Sequence, residues 1–204
     1  MKAARPSLRA DDSTFPPIPE RERVLSTLNR LFRDHGYEGA TLSRICAATG
    51  LPRGSLYYYF PNGKADMLHV VLDDTETKFD EMVLTPMRSE GPPDKRIRLM
   101  TRFLDGYYEK GAAGCILGVL ALGETDERTA QSVRRIFKKW IDALVVVLVD
   151  AGWPKTAARK RARDAVVRIQ GALIVCRGLD DRAAFRDLLA WLHDEDFLRV
   201  SSAP

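Results

Sequence analysis

Residues 41–64 read TLSRICAATGLPRGSLYYYFPNGK, and the placing of glycine, proline and aromatic residues in them decides the fold. Thr41 is suited to cap a short helix running to Thr49. Gly50-Leu51-Pro52 separates it from a second short helix over Arg53–Tyr59. A glycine at the break supplies the positive φ that a tight helix-to-helix turn needs. Ile45 and Ala48 are spaced to face a core, and Leu51, Leu56 and Phe60 to anchor the second helix against it. Pro52, Arg53, Ser55, Tyr57 and Tyr58 are then left looking outward. Tyr57–Phe60 as a plain aromatic core cluster is the competing reading; it suits Phe60, but three consecutive tyrosines cannot all turn inward on a helix. An exposed arginine, serine and two tyrosines on one short helix suit a polyanion whose phosphates and base edges accept hydrogen bonds.

Outward from this segment the chain keeps helical periodicity. Val24, Leu25, Leu28, Leu31 and Phe32 form a stripe that Gly36 closes. Asn62-Gly63 opens a longer helix to about Leu84, before Pro86. Asp94 is placed to cap a helix carrying Ile97, Met100, Phe103, Leu104 and Tyr107. A short apolar helix follows over Cys115–Leu122. Asp126 is placed to cap a long helix with Val133, Ile136, Phe137, Trp140, Leu144 and Val147 on one face. Its end, Ala143–Val149, is apolar all round and is expected between neighbours. Beyond Gly152-Trp153-Pro154 the last two helices run over about Lys155–Arg177 and Asp181–Leu192. In the first of these, Val167, Gly171 and Ile174 widen the apolar stripe beyond what one intramolecular face requires. Together with Leu188 they are the expected dimer interface, since a two-fold interface of four helices would bury such a stripe. The expected architecture is all-α, with about nine helices. Residues 1–18, rich in proline and charge, are expected as a disordered arm, 19–66 as a helix-turn-helix module and 67–204 as a larger helical body.

Composition narrows the function. The 204 residues are 45% hydrophobic and 29% charged, with a formal net charge of +4, as in ordinary soluble proteins. The longest apolar run, Ala143–Val149, is about a third of the ~20 residues a membrane span needs. No secretory signal is legible at the N-terminus, so the chain reads as cytoplasmic. From Arg21 to Lys64 seven cations (Arg21, Arg23, Arg30, Arg33, Arg44, Arg53 and Lys64) face three carboxylates, Glu22, Asp34 and Glu38. That concentration is the electrostatic footprint of a nucleic-acid partner. Lys155, Arg159, Lys160, Arg161 and Arg163 form a denser cluster, read as the solvated face of a helix, with a second nucleic-acid surface as the alternative. Cys46, Cys115 and Cys176 have neither disulfide nor metal-ligand spacing and read as buried thiols, a redox role for Cys115 being the alternative. His35, His69 and His193 share no motif with a cysteine or carboxylate. Gly111–Gly114 and Gly118–Gly123 lack the Lys-Ser/Thr of a phosphate-binding loop. No enzyme, metal or cofactor is expected.

On these residues the chain resembles the TetR family of bacterial regulators. The family's initial Thr falls on Thr41, its core Ile on Ile45, its turn Gly on Gly50 and its recognition-helix Gly on Gly54. Its Tyr and Phe fall on Tyr57 and Phe60, and its phosphate-contacting Lys on Lys64; Cys46 and Thr49 depart, standing where alanine is usual. The Pro61-Asn62-Gly63-Lys64 segment, Gly114-Cys115 and Gln170-Gly171-Ala172 look like the subgroup that contains LmrA and YxaF. The resemblance implies a homodimeric repressor on a palindromic operator in double-stranded DNA. It implies that Thr41, Arg53, Ser55, Tyr57, Tyr58 and Lys64 contact the duplex, with Tyr57 and Lys64 on phosphate; Arg44 and Pro52 join that expected set. A small apolar or aromatic inducer is expected in the body, against Phe103, Tyr107, Phe137, Trp140, Ile169 and Gln170. Control by a protein partner is the alternative, left open by the wide apolar surfaces late in the chain.

Overall fold

A computed structural model of the chain describes residues 18–200; the arm expected over residues 1–18 lies outside them except for Ile18, where the first helix begins. Every regular element among the described residues is helical. The order is α1 (Ile18–Gly39), α2 (Leu42–Thr49), α3 (Arg53–Tyr59), α4 (Lys64–Phe79), α5 (Thr85–Arg88), α6 (Pro93–Tyr107), α7 (Ile116–Leu122), α8 (Glu127–Asp150), α9 (Lys155–Leu179), α10 (Ala183–His193) and α11 (Glu195–Leu198). A π-helical turn, Asp80–Leu84, joins α4 to α5 without a break. The boundary expected between residues 66 and 67 falls inside α4.

The apolar stripe of α1 is buried at Val24, Leu25, Leu28 and Phe32, where it meets α2 and α4. Gly36 interrupts α1 instead of ending it: its φ of 68° and ψ of −178° kink the chain, and helical geometry resumes to Gly39. Below this head lies the body. α8 and α9, joined by a four-residue link at 151–154, pack side by side and therefore antiparallel, and α10 folds back onto α9. Of the apolar run ending α8, Ala143, Leu144, Val145, Val147 and Leu148 are buried, while Val146 and Val149 reach solvent. Trp153 closes the α8–α9 link by donating its indole N–H to the Leu198 carbonyl at 2.8 Å.

Two caps differ in kind. Asp94 does not cap α6: Pro92 holds that place and Pro93 starts the helix, leaving Asp94 in the first turn, because a proline's fixed φ suits the first helical position. Asp126 does cap α8, accepting from the Thr129 N–H at 2.7 Å. The same carboxylate stands 3.0 Å from His69 Nε2 on α4, so the head's exit helix and the start of α8 share one side chain. Farther along, Glu76 and Asp80 receive Arg135 and Lys139 at 2.6–2.7 Å. The Arg135 hydrogen bond holds the Glu76 carboxyl below the ordinary carboxylate range, against the opposing effect of its burial.

The buried arginine of the body has its counter-charge within the fold. Arg96, 4% exposed, donates to the Met87 and Ser89 carbonyls at 3.1 and 3.2 Å and to Asp150 at 2.8 Å. It ties α5 and α6 to the end of α8.

Replacing Asp126 with alanine removes the α8 cap and the His69 contact together. Urea unfolding is expected to lose about 1 kcal/mol, the usual worth of an N-cap, through a lower midpoint at unchanged slope. An unaltered midpoint would mean that the cap carries no weight in this fold.

Candidate nucleic-acid interface and interior cavity

The turn between α2 and α3 is built from local bonds. Thr41 accepts from the Arg44 N–H at 3.4 Å at the start of α2. At its end Gly50 takes φ 74° and ψ 6°, and its N–H closes on the Cys46 carbonyl at 2.9 Å. Thr49, which departs from the usual alanine, is 1% exposed; its hydroxyl donates to the Ile45 carbonyl at 2.7 Å and accepts from the Leu51 N–H at 3.3 Å. Arg23 of α1 donates to the Thr49 carbonyl at 3.2 Å. Thr49 therefore takes the inward place expected for Ala48, which is exposed. Ile45, Leu56 and Phe60 are buried as their spacing requires, and Leu51 is half-buried.

This packing leaves α3 with a free outward face. Pro52, Arg53, Gly54, Tyr57 and Tyr58 are exposed, Tyr58 at 66%, and Ser55 is half-buried. Arg53 has no hydrogen bond or ion pair among the described residues. A β-carbon at Gly54 would meet nothing within 4 Å, so the fold itself does not require glycine there. The Tyr57 ring lies against the turn at Gly63, where a β-carbon would stand 3.4 Å from it. Lys64 begins α4 with its ammonium 4.1 Å from the Tyr37 ring centre and 3.8 Å from Glu38. Arg44 lies on α2 with a guanidinium nitrogen 3.2 Å from a ring nitrogen of His35. Thr41, Arg44, Arg53, Tyr57, Tyr58 and Lys64 thus come from one turn-helix unit and the helix start that follows it.

A cavity of about 570 Å³ opens between α1, α4, α6, α7 and α8. Its aromatic wall is continuous. Tyr107 stacks on Phe103 with ring centres 5.7 Å apart, Phe103 meets Phe79 at 6.4 Å, and Phe79 meets Trp140 edge-on at 5.1 Å. The Tyr107 hydroxyl and the Trp140 indole N–H are buried without a hydrogen-bond partner; Asn29 lies near the phenol but outside bonding geometry. Burial raises the pKa of Tyr107 and carries that of Tyr108 well above its ordinary value, so both remain phenols. Tyr108 donates to Cys115 Sγ at 3.3 Å.

Of the six residues expected at a ligand, Phe103, Tyr107 and Trp140 line this cavity and three do not. Ile136 and Trp140 are one turn apart on α8 and face it together; Phe137 is rotated about 100° away. Ile169 is fully buried in the core of α9, a helix lying beyond α8. Gln170 turns its carbonyl to α7, 2.6 Å from where a Gly118 β-carbon would stand. Of the expected dimer residues, Val167 and Ile174 are 62% and 63% exposed, Gly171 lies between them, and Leu188 is buried within its own chain. Leu188 points inward because α10 packs that face on α9 and α6. Arg177 donates to the Arg33 and Asp34 carbonyls at 3.4 and 2.8 Å.

The basic cluster at the start of α9 is not one solvated face. Arg159 pairs with Asp142 at 3.1 Å, and Arg161 lies over the rings of Trp153, Trp191 and Phe197 at 5.0–5.7 Å. Cys115 and Cys176 are buried and Cys46 half-buried, all as free thiols. No group of acids, histidines and cysteines suited to a metal ion occurs among the described residues. No helix among them is long and apolar enough to cross a membrane.

A helix-turn-helix with an unoccupied second-helix face, joined to an all-helical body with an interior cavity, defines a DNA-binding regulator. Residues 24–71 match the family of bacterial regulatory proteins of the tetR family, and residues 95–190 match the C-terminal domain of LmrA/YxaF-like transcriptional regulators. The chain belongs to the TetR family of transcriptional regulators, within its LmrA/YxaF-like branch, and is not an enzyme. It is 26% identical over 160 residues to the HTH-type transcriptional regulator YxaF of Bacillus subtilis, covering 76% of this chain and 83% of that one. Identity to the HTH-type transcriptional regulator LmrA of the same organism is also 26% over 160 residues, with 76% and 85% covered. A TetR transcriptional regulator from Legionella pneumophila superposes with a TM-score of 0.76 at 19% identity, over 84% of this chain and 94% of that one.

Sequence reading missed Thr49, Arg23 and Arg33. Arg33 carried the clearest signal, since it lies eight positions after Leu25 and four after Asn29, where a helix face already buried by Leu25 continues.

Gly50→Ala tests the turn. The site is open, so its cost is that of a β-carbon at positive φ, about 1–2 kcal/mol. Urea unfolding is expected to register that loss, whereas Gly54→Ala is expected to leave stability unchanged or slightly higher. Equal effects at the two glycines would contradict the assigned turn geometry.

Proposed function

We propose that the protein is a homodimeric repressor that sets α3 of each protomer into successive major grooves of a palindromic operator and leaves the DNA when a small, largely aromatic molecule enters the cavity. The observation that carries this reading is the free face of α3. Arg53, Tyr57 and Tyr58 are exposed there, and Gly54 has no structural need to lack a side chain. A close partner surface supplies that need. Lys64, at the start of α4, adds a cation beside free helix N–H groups, a favourable site for phosphate. Thr41, Arg44, Pro52 and Ser55 flank this face. A DNA partner puts the protein in the cytoplasm.

The outer face of α9 suits the second copy. Val167, Gly171 and Ile174 are continued by Val175 and Leu179, 45% and 71% exposed, an apolar stripe that water leaves uncovered. A two-fold pairing of this stripe must set the two α3 helices at half-sites about 34 Å apart for both to reach a major groove. In this reading 19–66 is the reading head and 67–204 the body, with α4 common to both. An inducer must favour the form that cannot span the half-sites, since equal affinity for both forms shifts nothing.

Selection of sites from random duplexes is expected to enrich a palindrome. Lys64→Ala is expected to weaken binding to all sequences alike and to lower the salt slope by about one. Arg53→Ala is expected to relax preference at particular base pairs, by about 1–3 kcal/mol each. Failure to enrich any sequence, or a Lys64→Ala variant that binds unchanged, overturns the DNA assignment.

Gly171→Arg separates dimerisation from folding, because a β-carbon there meets nothing within 4 Å of its own chain. Sedimentation at micromolar concentration is expected to give a dimer for the wild type and a folded monomer for the variant, with operator binding lost. A dimeric variant would move the interface elsewhere.

A further inference from the structure

The cavity holds a buried cation for which the described residues supply no counter-charge. Arg33 of α1 is 6% exposed. Its Nε donates to the Gly114 carbonyl at 2.8 Å and its Nη2 to the Tyr107 carbonyl at 3.0 Å. The guanidinium lies 4.6 Å from the Tyr107 ring centre and 6.0 Å from that of Tyr108. Among the described residues no carboxylate pairs with it, and Nη1 makes no hydrogen bond. Arg96, equally buried, has Asp150 at 2.8 Å. A charge taken out of water is costly unless paired, so Arg96 has its counter-charge within the fold and Arg33, among the described residues, does not.

The other charges at the cavity do not complete it. Asp74 is bound to Lys78 at 2.8 Å, and Arg30 and Glu109 stand exposed at the mouth. Two polar groups of the cavity wall are buried with no hydrogen-bond partner, and each can donate: the Tyr107 hydroxyl beside Arg33 and, at the far end of the ring series, the Trp140 indole N–H. An indole N–H donates only, and a guanidinium accepts nothing. A guanidinium without a counter-charge and two buried donors without acceptors border one aromatic-walled space.

We propose, building on the cavity being the inducer site, that the inducer is an aromatic carboxylate whose acid group docks on Arg33 and the Tyr107 hydroxyl and whose rings lie along Phe103 and Phe79 toward Trp140. Arg33 is also the link to the DNA-reading head. It belongs to α1, while its two carbonyl acceptors belong to α6 and the α6–α7 segment of the body. A carboxylate is a stronger acceptor for a guanidinium than a neutral carbonyl. Ligand binding therefore draws Arg33 off Gly114 and Tyr107 and loosens the hold of the body on α1.

The test uses the full-length dimer and pairs of aromatic acids with their carboxamides: benzoate, 2-naphthoate and biphenyl-4-carboxylate against benzamide, 2-naphthamide and biphenyl-4-carboxamide. Binding is read by quenching of tryptophan fluorescence and release by operator anisotropy. At least one acid is expected to bind about tenfold or more tighter than its amide, the scale of a charged hydrogen bond, and to release operator at lower concentration. In Arg33→Gln that preference is expected to vanish. Should Arg33→Gln not fold, Tyr107→Phe stands in, expected to lower acid affinity about tenfold or more as one hydrogen bond to the charged carboxylate is lost, and to leave amide affinity less affected. Amides that bind and release as well as their acids overturn the carboxylate and leave the inducer cavity standing. An acid preference that survives Arg33→Gln overturns the role of Arg33. No binding by any of the six compounds overturns the proposal; if a neutral compound of another class then releases the operator, the inducer reading survives it.

Discussion

α1 has two faces to bury, and the rest of the molecule is arranged around that demand. Val24, Leu25, Leu28 and Phe32 supply the core against which α2, α3 and α4 close. Without them a seven-residue recognition helix has far too little apolar surface to hold its own shape. The next turn of the same helix carries Arg33 into the body, and past it Gly36 comes near Val119 of α7, 3.6 Å from where its β-carbon would stand. One helix is therefore both the floor of the DNA-reading head and a wall of the cavity. The kink at Gly36 lets the last residues of α1 leave that wall without ending the helix.

What the sequence discloses follows from how far apart the deciding residues lie. The α2–α3 turn is legible because Thr41, Ile45, Gly50 and Leu56 each act through hydrogen bonds that span three or four residues. The cap of α8 is legible at Asp126 for the same reason. The cavity is only half legible. Phe103, Tyr107 and Trp140 share it with residues from α1 and α4 that no helical stripe pairs with them. Phe137, Ile169 and Gln170 have the right chemistry but the wrong side of α8 or α9, and periodicity cannot say which of two buried faces borders a void. Leu188 fails likewise: its stripe is apolar whether it meets α9 of its own chain or of another. Thr49 stands where alanine is usual, and nothing in its spacing announces that its hydroxyl stitches both sides of the turn.

Polar groups in this protein divide by whether the chain answers them. Glu76, Asp80, Arg135 and Lys139 answer one another across α4 and α8, and Arg96 is answered by Asp150 and two carbonyls. Such closed sets hold helices in register. On the free face of α3, around the cavity and along the outer side of α9, groups remain unanswered, and those are the surfaces assigned here to DNA, ligand and second protomer. The division needs no charge excess over the whole chain. It is a matter of where complementarity stops.

The π-helical turn at Asp80–Leu84 bears on how motion travels. A wide turn inserts one residue into the helical ladder and weakens the axial stiffness of the rod that contains it. α4 and α5 consequently do not form a single lever from Lys64 to Arg88. Asp74, Thr75, Lys78 and Phe79 border the cavity on the head side of the turn, and Met82 lies within it. The four earlier residues share one unbroken helix with Lys64, and Met82 does not. The turn is thus the point along α4 and α5 at which a bend is most readily accommodated, between the cavity wall nearest the DNA-reading head and the part of the body that follows.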